Sequence, residues 1–398
     1  MKLFFSTFAL LVAAFFANAQ INPLQINPNI KLPKDSIESA ALISAVNNFL
    51  AAAQKPDEVN KLVFETEKIE TLVLLNKING IEKNTALKDD HFYRPYLTNI
   101  VSLNSNEYMV QISYIGVNKN TTFLRASFEL IAHRINNGFL FSSSLLRNAK
   151  GWKTEKVGNT IFHYQTIINK AKAQEFDKLA SVFDKKLKAI NKVTEFYCCE
   201  NIFEMQRLTG VQYTSDYNGR LHSVWSSTLG DTTIIILGDN NAEFNDFDPH
   251  DLWHERVSLV SLRNQINRPI DEGCAYLYGG SWGMSWQAIF KEFKEQVAGN
   301  KNTDWVKAKE TPVYFKTKGF NNSADCIVNA LLVQKIEKEQ GFAGVWEFLN
   351  CGKAEKDNEN YYQVLEKLTG ITKANYNEKV WELINNYPQA LPIEQDKL

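Results

Sequence analysis

The chain has 398 residues, with 44 Lys plus Arg against 45 Asp plus Glu and a formal net charge of −1. That balance excludes the basic footprint of a nucleic-acid-binding protein and the block charge of an acidic tail. The length is enough for two domains.

Met1 to Ala19 carries one Lys near its start, an apolar run from Leu3 to Phe16, and Ala17-Asn18-Ala19 before Gln20. This pattern reads as a secretory signal peptide with an Ala-x-Ala cleavage site over residues 1–19. The run is too short for a membrane span. No Cys follows the site to carry a lipid, and no later run reaches spanning length. The expected product is exported, periplasmic or extracellular, without stable membrane insertion.

Residues 20–165 read as a small N-terminal α+β domain. Gln20 to Asp35 carries three Pro and several Asn and is expected to be extended. Ile37, Ala41, Val46, Phe49 and Leu50 stripe a helix from Ser36 to Ala53, and Pro56-Asp57 is expected to open a short helix through Val63. The period then changes. Strand-length apolar or alternating runs cover Tyr108 to Ile115, Thr122 to Ala132 and Gly138 to Leu145, separated by Asn-rich turns. Helices followed by long antiparallel strands resemble, in element order, the NTF2-like fold. Phe92, Tyr93, Tyr96 and Trp152 are candidates for a pocket lining or for the core and sheet face. His91 and His133 stand alone, which suits surface or hydrogen-bonding roles.

Residues 166–398 read as a second, mostly helical domain with a small sheet, so the whole chain is α+β. Thr166 to Ile190 is charged and helical, with Ile167, Ala171, Phe176, Leu179, Phe183 and Leu187 on one face. Val193 to Cys199 is a buried strand, and a helix through Leu208 ends at Gly210. Leu221 to Ser227 and Thr232 to Gly238 form a hairpin. Of the five Cys, Cys198 and Cys199 suit buried thiols, while Cys326 and Cys351 are the best pair for a disulfide in an exported protein. There is no Cys-x-x-Cys for a zinc ribbon.

The chemistry concentrates between Asp248 and Gly280. Asp248-Pro249 suits a helix N-cap and first helical position. His250 and His254, four apart, then share one helix face. Glu272 follows His254 by 18 positions, on a second helix begun by Pro269-Ile270. Two imidazoles and a carboxylate make a three-ligand zinc site with an open fourth position. Gly273, beside Glu272, permits close backbone approach. Asp251 at the third helical position has a local use, since a carboxylate there complements the helix dipole and can reach toward the cap.

His250-Asp251-Leu252-Trp253-His254 resembles the His-Glu-x-x-His helix of zinc metallopeptidases. Asp271-Glu272-Gly273-Cys274-Ala275-Tyr276 resembles the Glu-Gly-x-Ala-x-Tyr segment of the gluzincin clan, the thermolysin-like and aminopeptidase-like families. The resemblance covers about Val193 to Asn386. Its helical tail includes a long helix from Ser323, a stop at Gly341 and a last helix bearing Trp381. It implies zinc on His250, His254 and Glu272, with water activated by the first Glu of the motif, which is Asp251 here. Tyr276, one turn after Glu272, is a candidate oxyanion donor. The strand from His222 to Ser227 is the candidate for an edge that receives an extended peptide, or is an ordinary hairpin arm. Gly279 to Trp286 is a turn that could wall the cleft or cap the next helix, Gln287 to Val297. The expected partner is a peptide or protein, as substrate or ligand. With Asp in place of Glu, a catalytically inactive peptide- or glycan-binding module is the alternative to a hydrolase, and a purely structural module is the third reading. Intact mass of the exported protein is expected to correspond to a chain beginning at Gln20; a retained Met1 refutes the cleavage assignment.

Overall fold

Local end chemistry sets the first helix of the computed structural model, which describes residues 23–387 apart from 56–59, 137, 190–191, 262–263, 299 and 301. The signal peptide therefore lies outside the described residues, as does the start of the expected helix at Pro56. The rest of that segment is a turn, with Val63 bridged to Phe141. The protein is mixed α+β. Its chain divides into two units, one running to Lys150 together with Phe203–Leu221, the other comprising Gly151–Ile202 and His222 onward.

In chain order, the first unit contributes β1 (Gln25–Ile26), α1 (Ser36–Ala53), α2 (Lys68–Ile78), β2 (Arg94–Ser102), β3 (Glu107–Asn118), β4 (Thr121–Ile135), β5 (Gly138–Ser143) and α3 (Leu145–Asn148). The second begins with β6 (Lys153–Val157), β7 (Thr160–Tyr164), α4 (Lys170–Leu187) and β8 (Val193–Cys199). Then α5 (Ile202–Thr209) and β9 (Val211–Thr214) lead through the first unit's second segment. The chain continues with β10 (Ser223–Leu229), β11 (Thr232–Gly238), α6 (Pro249–Ser258), α7 (Arg268–Gly279), α8 (Trp286–Phe293), α9 (Trp305–Glu310), β12 (Tyr314–Thr317), β13 (Phe320–Ser323), α10 (Ala324–Leu349), α11 (Glu359–Thr369) and α12 (Tyr376–Asn385).

In the first unit, Asp35 caps α1 by accepting from the N–H groups of Ile37 and Glu38. The sheet runs β1-β2-β3-β4-β5, with β9 added on β4. Leu42, Val46 and Phe49 of α1 and Leu74 and Ile78 of α2 are buried, as are Val110, Ile112, Phe128 and Phe141 of the sheet. The Phe49 and Phe141 rings lie 4.9 Å apart. Neither isolated histidine is free: His91 faces Glu82, and His133 bonds Ser142 at 2.8 Å. Among the four aromatics, Phe92 sits edge-on to Tyr93, and in the second unit Trp152 leans on Tyr197.

The second unit is built on a sheet of order β10-β11-β8-β7-β6. β7, β8 and β11 run parallel, and β6 and β10 are antiparallel edges. The expected boundary near residue 166 falls between β7 and α4, inside this unit. Phe162, Phe176, Phe196 and Phe244 form an aromatic core over the sheet. α7 packs along α10, and Gly273 sets their separation. A Cβ there would meet Ala330 N and Asn329 C at 2.8 Å, so the close approach expected of this glycine is to the α10 backbone. Gly341 interrupts α10 with a left-handed φ of 68°. The five cysteines are all free thiols, which corrects the Cys326–Cys351 pairing. Cys198 and Cys199 are buried on β8. Among the described residues, no helix is long and apolar enough to cross a membrane.

One buried ion pair fixes α6. Arg256 donates to Asp184 of α4 through Nε at 2.6 Å and Nη2 at 2.5 Å, and to Thr194 of β8 through Nη1 at 2.9 Å. The fork geometry pins helix, helix and strand together. Asp184→Ala leaves a buried guanidinium without its counter-charge, and is expected to cost about 3–5 kcal/mol, read as a lowered urea midpoint at unchanged m-value.

Candidate metal centre

α6 begins where the sequence places it. Asp248 accepts from the N–H of His250 at 2.9 Å, and Pro249 occupies the first helical turn. His250 is in that turn, yet it is held firmly, because the C-terminus of α7 abuts it. A Cβ on Gly279 would lie 2.6 Å from His250 N and Pro249 C, so only glycine allows the approach. The next residue, Gly280, presents its carbonyl to His250 Nδ1 at 3.0 Å. The Tyr276 ring lies edge-on to the His250 ring, 4.9 Å between centroids.

His254 is oriented from behind in the same way. Its Nδ1 is 2.7 Å from Asp271 Oδ2, while Asp271 Oδ1 accepts from the Trp253 indole at 3.1 Å. Each Nδ1 thus faces only an acceptor, which fixes the proton on Nδ1 and leaves the lone pair on Nε2. The two Nε2 atoms stand 3.2 Å apart. Glu272 Oε2 is 3.2 Å from His250 Nε2 and 3.6 Å from His254 Nε2.

Three acceptor atoms therefore converge, and such a cluster requires a cation or an added proton. Zinc–ligand bonds of about 2.0–2.1 Å at tetrahedral angles place neighbouring ligand atoms roughly 3.3 Å apart. The three observed separations bracket that value. The donor set of two imidazoles and one carboxylate, each imidazole backed by its own acceptor, fits a zinc ion; His250, His254 and Glu272 are the residues that could hold it.

In metal-free protein the proton fills the role. Burial disfavours the charged form of His254, but hydrogen bonds and charge from Asp271 and Glu272 outweigh it and lift its pKa to about 9. Burial also works against ionised Glu272, yet His250, His254 and the Arg268 charge hold it well below the ordinary carboxylate range.

The other sequence candidates sit apart from this convergence. Asp251 is solvent-exposed on the first turn of α6; the cap bond to His250 N comes from Asp248. Tyr276 reaches the centre with its ring; its hydroxyl donates to Asn322 Oδ1 at 2.7 Å. His222 is exposed, just before β10, and β10 is an edge strand. In the Gly279–Trp286 turn, Trp282 stacks on Phe320 at 4.0 Å and donates to the same Asn322 oxygen. Ser285 caps α8, and Trp286 is buried at its start.

Sequence reasoning assigned no role to Asp271, the Gly280 carbonyl, Arg268 or Glu255. Asp271 is adjacent to Glu272, and a His–carboxylate pair is a known orienting device, but nothing local shows that it reaches His254. Glu255 stands one turn after Asp251. Its Oε2 is buried without a hydrogen-bond partner, and burial together with the Asp251 charge raises its pKa to about 8. No protein-family model matches this chain, and no curated protein matches it.

The raised pKa of His254 gives a signed prediction. A folded-state value near 9 against an unfolded value near 6.5 means that the protonated cluster stabilises metal-free protein fully below about pH 6.5, and that this contribution is lost as pH rises through about 9. Urea midpoints of metal-free protein are expected to fall across that window. The fall should be flattened by His254→Gln and by saturating zinc, which replaces the proton.

Proposed function

We propose that this chain is an exported, gluzincin-type metallopeptidase-like protein that holds one zinc ion on His250, His254 and Glu272 and acts on a peptide or protein. The observation that carries this reading is the convergence of three lone-pair atoms at the spacing of zinc's own ligands. Bound zinc supplies a Lewis acid and lowers the pKa of a water molecule.

The chain's own groups do the rest. Gly280 and Asp271 hold the imidazoles in the ligating tautomer. Asp251 stands in the sequence where the motif carries the carboxylate that takes the proton of the attacking water. Its side chain is one methylene shorter than Glu, which withdraws the carboxylate by about 1 Å, a misplacement that can cost roughly 100-fold in rate. The end position of β10 in its sheet suits an extended peptide added as a further strand.

A second reading keeps the zinc and drops the hydrolysis: a peptide- or glycan-binding module on the same scaffold. The exposure of Asp251 and the commitment of the Tyr276 hydroxyl to Asn322 favour it.

Elemental analysis tests the shared premise. Purified protein is expected to carry about one zinc per chain, lost in His254→Ala; metal-free protein from zinc-replete growth sinks both readings. Hydrolysis of labelled casein by zinc-loaded wild type, Asp251→Glu and Asp251→Ala separates them. Turnover in wild type that vanishes in Asp251→Ala supports the peptidase. A silent wild type with activity gained in Asp251→Glu supports a scaffold whose base is out of reach.

A further inference from the structure

We infer that Arg268 holds Glu272 as a ligand through one oxygen only, and thereby keeps a coordination position open for an incoming molecule. The inference rests on the metal reading above and concerns how the carboxylate is presented. Arg268 Nη2 lies 2.5 Å from Glu272 Oε1, while the other oxygen, Oε2, faces the two imidazoles. The two oxygens are thus divided between an arginine and the metal centre. Arg268 Nη1 also lies 3.7 Å from Asp271 Oδ2, the oxygen that accepts from His254 Nδ1. A single guanidinium therefore touches a ligand carboxylate and the carboxylate that orients another ligand.

The plain alternative is an ordinary helical ion pair, three and four residues apart, of small worth. Three features weigh against it. A cation N-terminal to its acid is the poorer order for such a pair. A cation in the first turn of α7 opposes the helix dipole, which favours anions there. The acids it meets are not surface groups: Asp271 is 5% exposed and Glu272 22%, whereas Arg268 itself is 59% exposed. The arginine comes from the solvent side to two sheltered carboxylates that both serve the centre.

The consequence is chemical. A carboxylate free at both oxygens can close on a metal ion with two bonds and fill the position that a water or a substrate needs. With Oε1 in a charge-assisted hydrogen bond, the second metal bond would require breaking that contact. Two imidazoles and a single carboxylate oxygen leave the fourth position of a catalytic-type site free. Arg268 is on this account a positioning residue, acting through Glu272.

Cobalt(II) titration of the purified full-length mature chain tests this, because the intensity of the cobalt d–d absorption reports coordination number: strong for four-coordinate ions, weak for five-coordinate ones. Wild type is expected to give the strong band. Arg268→Met, and Arg268→Gln as a second uncharged variant, are expected to bind cobalt with a weakened band as Glu272 closes with both oxygens. Arg268→Lys, which keeps the charge, is expected to recover the strong band. Uncharged variants that bind cobalt with the wild-type band overturn the inference, as does a variant with native circular dichroism that binds no cobalt. Failure of wild type itself to bind cobalt or zinc counts against the metal reading, and is distinguishable from both.

Discussion

Three side-chain atoms that converge on one point, where only a cation or a proton reconciles them, are the constraint on which the site of the second unit depends. Without a shared proton or cation, like-signed partial charges at 3.2 Å repel, so each group has to be held from behind. Asp271 and the Gly280 carbonyl do this for the imidazoles, and Arg268 does it for the carboxylate. The holders must themselves be placed. Gly279 brings the end of α7 onto the start of α6, Gly273 seats α7 on the α10 backbone, and the Asp184–Arg256 fork fixes α6 to α4 and β8. Each is a close approach or a buried charge pair that would be a liability without a reason for it.

How much of this was legible depended on the range of the interaction. The His pair was readable because helical spacing is local, and because Asp248-Pro249 announces where the helix starts. The α1 limits, the Gly341 break and the β10–β11 hairpin were readable for the same reason. β2 escaped notice because a register shift between Leu97 and Asn99 breaks its alternation, and Pro95 sits near its start. The place of β6 and β7 was hidden more deeply. β7 pairs with β8 in parallel, across the whole of α4. That is a crossover, and no periodicity within either strand reveals it. The orienting contacts to Asp271, Gly280 and Arg268 are likewise products of how α6 and α7 cross, so the three converging residues could be listed from the sequence while the means of holding them could not.

Asp251 is where local and functional readings compete for one residue. A carboxylate in the first turn of a helix is favourable whatever its chemistry. Here Asp248 already supplies the cap, so Asp251 is spared that duty and lies exposed on the first turn of α6. Glu255, a turn later, carries the sheltered and unpartnered carboxyl oxygen that Asp251 lacks. The acid-rich side of α6 therefore divides into an exposed group and a half-buried one, whose mutual repulsion adds to burial in raising the Glu255 pKa.

Charge counting around the centre explains why a dication and a proton are alternatives there. With both imidazoles neutral, the Asp271 and Glu272 carboxylates outweigh the single Arg268 guanidinium and leave an excess of negative charge. One proton on His254 cancels it, which is why that imidazole resists deprotonation despite burial. A dication on Nε2 must displace that proton, so metal affinity and proton affinity oppose each other at the same atoms. A cluster kept only for folding gains little from this design, since buried charge can often be exchanged for apolar packing of equal volume with no loss of stability. A set of polar groups whose tautomers, oxygens and counter-charges are each fixed separately suits the binding proposed for it better than a role in folding alone.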